Sequence, residues 1–390
     1  MEDEQVSNLC LECVDKWNNE SNKNDYRLFW EGNYYDSDVY DYGEVTSDSL
    51  TVLVQKCANV FTKLGLQDST ILLYLPNVLQ LPVASMAALR IGAKFLPFAA
   101  SDESIEHLKN ILTDAKIDAV ITVDGFWRGT HLIKTKFTLD KAIEESKANV
   151  RRVLVVRHVS PNKGVPPPRR EYVASRPYYG YTVSHNVQTN ALKSKPFVTK
   201  LDTRHFVNMK EERDSWWSEH FPNANISHSP SPTDTPATMI RVSWRDGKLS
   251  LSSLPNPVIK QNIQKVAELT HPNEICFVAS YSDAALETIA ILGVLSSGAK
   301  IVLFEGDGCY PDYSRLLQVV EIYEVKKLLI CEEDLKPLIQ HPEYSQLWNT
   351  SSLEEIVILG SGHEKEPLQK LYDKQCIKHL PLLQSKDTNL

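Results

Sequence analysis

The chain has 390 residues and a formal net charge of −8, which is the wrong sign for a protein that binds nucleic acid through its phosphates. Its 42% hydrophobic and 24% charged residues are typical of a globular protein and exclude general disorder. Seven cysteines, an odd number in a long chain, exclude a small disulfide scaffold. The length exceeds what one compact core usually spans, so we expect two subdomains.

The N-terminal segment, MEDEQVSNLCLECVDKW, is acidic where a secretory or mitochondrial presequence needs basic residues. No apolar run reaches the roughly 20 residues of a membrane span. We therefore expect a protein of the cytoplasm, with the nucleus as a second location, that does not bind membranes. Cys10 and Cys13 form a CxxC pair, but no second pair of ligands completes a metal site. We expect both cysteines on the buried side of an N-terminal helix.

Two segments, 71–124 and 275–334, repeat one pattern. Each contains three short apolar runs, separated first by a helix-length stretch and then by an amphipathic one. Gly-Ala-Lys precedes the second run in both, and Gly92 and Gly298 suit the end of a helix. Unbroken apolar runs that alternate with helical periods are typical of buried parallel strands joined by crossover helices. The sequence therefore predicts an α/β fold with two doubly wound βαβαβ subdomains.

The region between the repeats is rich in proline. From Pro161 to Pro257 lie 12 of the 21 prolines, and apolar segments there are short. This composition predicts mostly irregular structure, which marks a boundary between domains. The predicted divisions are a first α/β subdomain at 1–158, a proline-rich insertion at 159–213, a second α/β subdomain at 214–375 and a tail at 376–390.

Motifs in both predicted subdomains carry a resemblance to a known family. They are LFWEGN at 28–33, LPNVLQLPVASMAALRIGAKFLPF at 75–98, SWWSEHF at 215–221 and GAKIVLFEGDGCYPDYSRLLQVVE at 298–321. In this order and spacing they resemble the large N-terminal domain of the AMP-forming acetyl-CoA synthetases. The resemblance implies the adenylate-forming fold and, for a complete enzyme, a ligase that makes acetyl-CoA from acetate, ATP and CoA. It also leads us to expect that the family's small C-terminal lid domain, which holds the catalytic lysine, is missing.

The family's phosphate-binding loop, YTSGSTGKPKG, corresponds to RVSWRDGKLSL at 241–251. The matching residues, which are the candidate ATP-binding positions, are Ser243, Gly247 and Lys248. Trp244 and Leu251 replace glycines, so the positive-φ turns that bring the backbone close to a phosphate are lost. The segment alternates and has Asp-Gly at its centre. It therefore predicts a β-hairpin in place of a working phosphate loop.

Other motifs of the family are altered too. The segment that shapes the family's acetate pocket and CoA path, WCTADVGWVTGHSY, corresponds to 276–289, where Asp283 replaces the pocket Trp and Glu287 the His. We expect an amphipathic helix that offers no polar anchor to acetate. The resemblance implies that Glu364 contacts adenosine and Arg128 a CoA phosphate. In the alternative interpretation Arg128 is a solvated surface residue, as arginines that follow a strand end commonly are.

The altered positions belong to nucleotide and acetate motifs, whereas the strand and core patterns persist. The leading hypothesis is a catalytically inactive protein that acts by binding or regulation, with a protein partner such as a full-length acyl-CoA synthetase. Under this hypothesis we expect the chain to have no catalytic residue, no bound metal and no cofactor. The alternative is an acyl-activating ligase, or a CoA- or nucleotide-binding protein, that uses ATP, Mg²⁺ and CoA through Lys248, Glu364 and Arg128. A third hypothesis is a truncated product destabilised by exposed apolar surface.

Overall fold

The computed structural model of the chain describes residues 8–34, 41–100, 105–159, 175–176, 181–182, 207–230, 237–245, 248–279, 282–360 and 376–383. These residues form two seven-stranded sheets with helices on their faces, and two small antiparallel pairs. The predicted α/β class with two parallel-rich units is confirmed. Among the described helices, none combines the length and the apolar character that a bilayer-spanning segment needs.

The first sheet has the strand order β11-β8-β5-β3-β4-β12-β13, and all neighbours are parallel except the last pair. At its centre the run TILLYL is buried along its whole length, as a strand covered on both faces must be. The strands are β3 Thr70–Leu75, β4 Lys94–Ala99, β5 Ala119–Val123, β8 Arg152–Val156, β11 Asp214–Trp216, β12 Thr238–Arg245 and β13 Lys248–Pro255.

The second sheet has the order β18-β17-β16-β14-β15-β1-β2, and only its last pair is antiparallel. The strands are β1 Tyr26–Glu31, β2 Tyr42–Thr46, β14 Ile275–Ala279, β15 Lys300–Phe304, β16 Lys327–Cys331, β17 Glu355–Leu359 and β18 Cys376–Leu380. The small pairs are β6 Phe126–Arg128 with β7 His131–Ile133 and β9 Ser175–Arg176 with β10 Tyr181–Thr182.

The helices begin and end at local signals. Thr46 accepts a hydrogen bond from the backbone N–H of Ser49 at the start of the second helix, and Gly92 ends the third with φ 72°. Trp217–His220 and Leu9–Cys13 form single short turns. The helices are α1 Leu9–Cys13, α2 Ser47–Lys63, α3 Gln80–Ile91, α4 Ile105–Asp114, α5 Thr135–Ser146, α6 Trp217–His220, α7 Asn256–Ala267, α8 Ala284–Ser296, α9 Arg315–Ile322 and α10 Glu332–Gln340.

The internal repeat is confirmed. The three strands of the first repeat lie in the order β5-β3-β4 and those of the second in the order β16-β14-β15, with parallel pairing throughout. Gly298, the counterpart of Gly92, has φ 88°. A Cβ atom there would lie 2.5 Å from the ring of Trp17. This position therefore requires glycine both for its backbone conformation and for space.

Both sheets draw strands from both ends of the chain. Leu28 of β1 pairs with Ile301 of β15, so an N-terminal hairpin completes the second sheet. In return β11, β12 and β13, from 214–255, complete the first. The ranges 1–158 and 214–375 thus each contribute to both sheets, because local periodicity specifies a strand but not its partner. Most of the predicted insertion at 159–213 lies outside the described residues.

One apolar core joins the two sheets through α8. All residues of this helix from Ala285 to Leu295 are buried, and they pack between β4 and β12 on one side and β14 and β15 on the other. The N-terminal helix α1 closes one end of this core. Cys10 and Cys13 are free, buried thiols on α1, as expected from the sequence.

Candidate functional site

Side chains that follow strands of both sheets converge near the N-terminus of α8. Asn77 follows β3 of the first sheet and reaches α8, while Ser282 precedes α8 and its hydroxyl donates a 3.1 Å hydrogen bond to Asp334 at the start of α10. In open α/β sheets, ligands bind in the crevice outside the carboxyl ends of the strands. This junction is therefore the candidate site, and the segment aligned with the family's acetate-pocket motif falls on it.

Glu287 of α8 is the central buried group of this junction. It is 1% exposed, and its carboxyl accepts a hydrogen bond from the side-chain amide of Asn77, which is 5% exposed. Burial raises the pKa of Glu287 well above its usual range, although the hydrogen bond from Asn77 and the charge of Arg128 act in the opposite direction. Burial thus favours the uncharged carboxylic acid of Glu287 over the carboxylate.

This geometry corrects one expectation. The segment 284–296 is buried on all sides, so α8 is not the amphipathic helix that the sequence analysis expects. It does carry a polar group at the predicted pocket, since Glu287 points to Asn77. The sequence does carry a signal for this buried group, which is a single Glu within a largely apolar helix. A Glu is rarely buried without a partner, so its position indicates a polar contact.

Asp283, which stands at the family's pocket Trp, has a structural role at the start of α8. Its Oδ1 accepts the backbone N–H groups of Ala285 and Leu286 at 3.0 and 3.1 Å. Its Oδ2 pairs with the guanidinium of Arg241 of β12 at 2.7 Å, and Arg241 also donates to the carbonyl oxygen of Leu383 at 2.7 Å. The carboxylate therefore ties the helix to the first sheet.

The segment aligned with the phosphate loop forms the predicted hairpin. The ladder pairs all eight residues of β12 with β13, down to Arg245 opposite Lys248. Only two residues connect the strands, and these, including the candidate Gly247, lie outside the described residues. Ser243 is half-buried, and its hydroxyl donates to the carbonyl of Ser250 at 3.3 Å. Lys248 is exposed at the end of the hairpin.

Side chains at the former glycine positions anchor this hairpin. The ring of Trp244 lies over that of His107 of α4, with 4.0 Å between the centroids, and Trp244 is 36% exposed. Leu251 is half-buried and packs against the apolar core. These contacts fix the segment as part of the first sheet and occupy space next to its backbone.

Arg128 ends β6, on the hairpin that faces the second sheet. It is half-buried, and its guanidinium lies 5.8 Å from the ring centroid of Phe126. The next residue, Gly129, exchanges two hydrogen bonds with the side chain of Asn33, of 2.7 and 2.8 Å. The structure thus brings Arg128 near Glu287, where its positive charge acts to lower the pKa of the carboxyl group. Part of the Arg128 side chain stays accessible to solvent.

The remaining candidate, Glu364, lies outside the described residues. In the described parts of the chain, no group of three or more His, Cys, Asp or Glu side chains could hold a metal ion. Of the two candidate cations, Arg128 lies near Glu287 at this junction, whereas Lys248 lies at the end of the hairpin. Glu287 and Asp283 were missed as pairing residues because their partners, Asn77 and Arg241, are remote in sequence.

Replacing Glu287 tests its protonation. We expect Glu287→Gln to change the free energy of unfolding by less than ~1 kcal/mol, because the glutamine carbonyl accepts the same hydrogen bond from Asn77. Glu287→Ala should cost about 2–3 kcal/mol through a cavity and an unpaired amide. Urea unfolding at pH 7 measures both. Equal losses for the two variants would mean that an ionised carboxylate holds the junction.

Comparison with known proteins points to one family. The family model described as AMP-binding enzyme matches residues 28–201. The acetyl-coenzyme A synthetase of Drosophila melanogaster is 25% identical over 369 residues, which cover 92% of this chain and 49% of that protein. Acetyl-coenzyme A synthetase 1 of Candida albicans is 26% identical over 92% of this chain and 46% of its own length. This chain spans about half the length of these relatives.

Proposed function

Because acetyl-coenzyme A synthetases match 92% of this chain at 25–26% identity, we propose that it is a catalytically inactive member of their AMP-forming family that acts by binding or regulation. The observation that carries the proposal is the hairpin at 238–255. Its ladder runs to a two-residue connection, whereas a phosphate loop needs a run of backbone N–H groups that curve around the phosphates. Backbone groups committed to a ladder cannot form that cradle.

The polar groups at the α8 junction support the same proposal. Asp283 is occupied by Arg241 and by the helix N-terminus, and Glu287 by Asn77. A ligand pocket needs polar groups that converge on the ligand rather than on one another. A buried acid at the position of the family's His also fills space along the path that CoA takes in the family.

A second candidate function is a residual acyl-activating ligase, or a nucleotide- or CoA-binding protein. It is favoured by two cations, the exposed Lys248 at the hairpin end and the half-buried Arg128. Either could pair with a phosphate, and Glu364 would contact the adenosine if that contact of the family persists. In this alternative ATP, Mg²⁺ and CoA are the ligands.

Calorimetry of the purified chain with ATP·Mg²⁺ and with CoA separates the two. The inactive member should give no saturable heat up to millimolar ligand. Binding that is lost in Lys248→Ala or Arg128→Ala, but kept in Lys141→Ala at a distant exposed position, would favour the alternative.

The proposed partner is a protein of the same family. Size-exclusion chromatography of the chain mixed with a full-length acetyl-CoA synthetase should show a joint peak, and the synthetase should change its kcat or KM. An unchanged elution profile together with unchanged kinetics would contradict this partner.

A further inference from the structure

A second group of charged side chains joins the two sheets away from α8. His158 follows β8 of the first sheet, and its Nε2 lies 2.6 Å from Oε1 of Glu305, which follows β15 of the second. Glu305 is 3% exposed, and its backbone N–H donates to the carbonyl of Glu31 at 2.9 Å. Its Oε2 has no hydrogen-bond partner within the described ranges. One imidazole therefore balances a buried carboxylate across the sheets.

The backbone around His158 is held by another carboxylate. Asp124 follows β5 and is fully buried. Its Oδ1 accepts the backbone N–H groups of Gly125, His158 and Val159 at 2.9, 2.9 and 3.0 Å. The segment that carries the imidazole is thus fixed to the first sheet. The side chain of His158 then bridges from this fixed segment to the second sheet.

The second sheet adds a third carboxylate at this point. Asp41 precedes β2, accepts the backbone N–H of Tyr34 at 2.9 Å, and lies so close to Gly32 that a Cβ there would meet its Oδ2 at 2.1 Å. Glu31 is held separately by Arg315 at 2.7 Å. His158 is therefore faced by Glu305, Asp41 and Asp124, and among these four side chains it is the one that can carry positive charge.

We propose that this cluster is a proton-dependent latch between the two sheets. It is closed while His158 carries its proton and released when the imidazole becomes neutral. A neutral imidazole would leave the carboxylates of Glu305, Asp41 and Asp124 without its positive charge, and like charges repel strongly at low local dielectric. Release would free the segment after β8 from the loop after β15. The latch does not depend on any ligand.

The pH range follows from the surroundings. Burial by itself would lower the pKa of His158, but the charge and hydrogen bond of Glu305, with Asp41 and Asp124, raise it to about 9. A group whose pKa is raised on folding contributes stability below its unfolded pKa and loses it as pH rises to the folded one. The latch should therefore weaken between about pH 6.5 and 9. Burial and Glu305 raise the pKa of Asp41 to about 6, which weakens the latch in the same direction from pH 4 to 6.

Hydrogen exchange of the full chain tests the latch. Protection factors of the backbone amides of His158 and Val159 should fall on the order of 100-fold from pH 7 to pH 10, since each unit of pKa difference is worth a factor of ten. Amides of β5 should keep their protection and serve as an internal reference. His158→Lys, which stays charged to about pH 10, should remove most of the fall.

Further variants decide the assignment. His158→Gln should show low amide protection at pH 7 and no further fall at higher pH. Glu305→Gln removes the carboxylate that faces the imidazole, so it should also abolish the fall in protection between pH 7 and pH 10. His341→Gln, at a half-buried histidine paired with Glu343, is the matched control and should behave as the parent. Protection that stays constant from pH 7 to 10 in the parent would overturn the proposal. So would the parent's fall persisting in Glu305→Gln.

Discussion

Lys136→Met is expected to destabilise the chain by about 3–5 kcal/mol, because it removes the fully buried cation that pairs with the buried carboxylate of Asp214. Lys136 of α5 is fully buried, and its Nζ lies 2.6 Å from Asp140 and 2.8 Å from Asp214, which begins β11. It also donates to the carbonyl of Asn208 at 3.1 Å. Arg213 pairs with both aspartates but cannot replace the lost hydrogen bonds. Urea unfolding at neutral pH measures the loss.

Lys141→Met is the matched control. Lys141 lies on the same helix and is exposed, with its Nζ 5.9 Å from the ring of Phe137, so we expect a change of less than ~0.5 kcal/mol. Burial alone would raise the pKa of Asp214, but hydrogen bonds from Arg213 and Lys136 lower it. If Lys136→Met lost as little unfolding free energy as Lys141→Met, the ion pairs of Lys136 would not hold β11 to α5.

Arg315→Met should cost a similar amount, about 3–5 kcal/mol. Arg315 of α9 is 1% exposed, and it donates to Glu31 at the end of β1 at 2.7 Å and to Gln318 at 2.6 Å. Its loss leaves Glu31, which is 7% exposed, with a hydrogen bond from Tyr323 of 2.9 Å. The midpoint temperature of thermal unfolding should therefore be lower for Arg315→Met than for the parent chain.

A double variant separates charge from packing. Because the main cost is an uncompensated buried charge, Arg315→Met combined with Glu31→Gln should be more stable than Arg315→Met alone. Additive losses in the double variant would mean that the packing of Arg315 over Phe304, 5.0 Å from its ring centroid, dominates.

The sequence predicted the parts of the fold whose signals are local. The apolar runs predicted as strands form the parallel strands Thr70–Leu75 and Ile275–Ala279, because a strand covered on both faces needs an unbroken apolar stretch. The hairpin at 241–251 was predicted from alternation and an Asp-Gly turn. The pairing of β1 with β15 was not predictable in this way, because its register joins Leu28 to Ile301 and no local pattern encodes a partner so distant.

The buried polar contacts were missed for the same reason. Glu287 and Asn77 are 210 positions apart, and His158 and Glu305 are 147 apart. A carboxylate in an apolar helix shows that some partner exists but does not say which one. The motif positions Ser243, Lys248 and Arg128 were placed by resemblance, and their roles as ligand contacts stay predictions.

Acetate-dependent exchange of pyrophosphate into ATP is the measurement that tests the central claim most directly. The reaction reports adenylate formation without requiring CoA, so it isolates the step that the phosphate loop serves. For the full chain with ATP·Mg²⁺ and acetate, in a sample that unfolds cooperatively, we expect no exchange above a protein-free blank. Exchange that depends on acetate and disappears in Lys248→Ala would contradict the account and show that the hairpin still works as a phosphate loop.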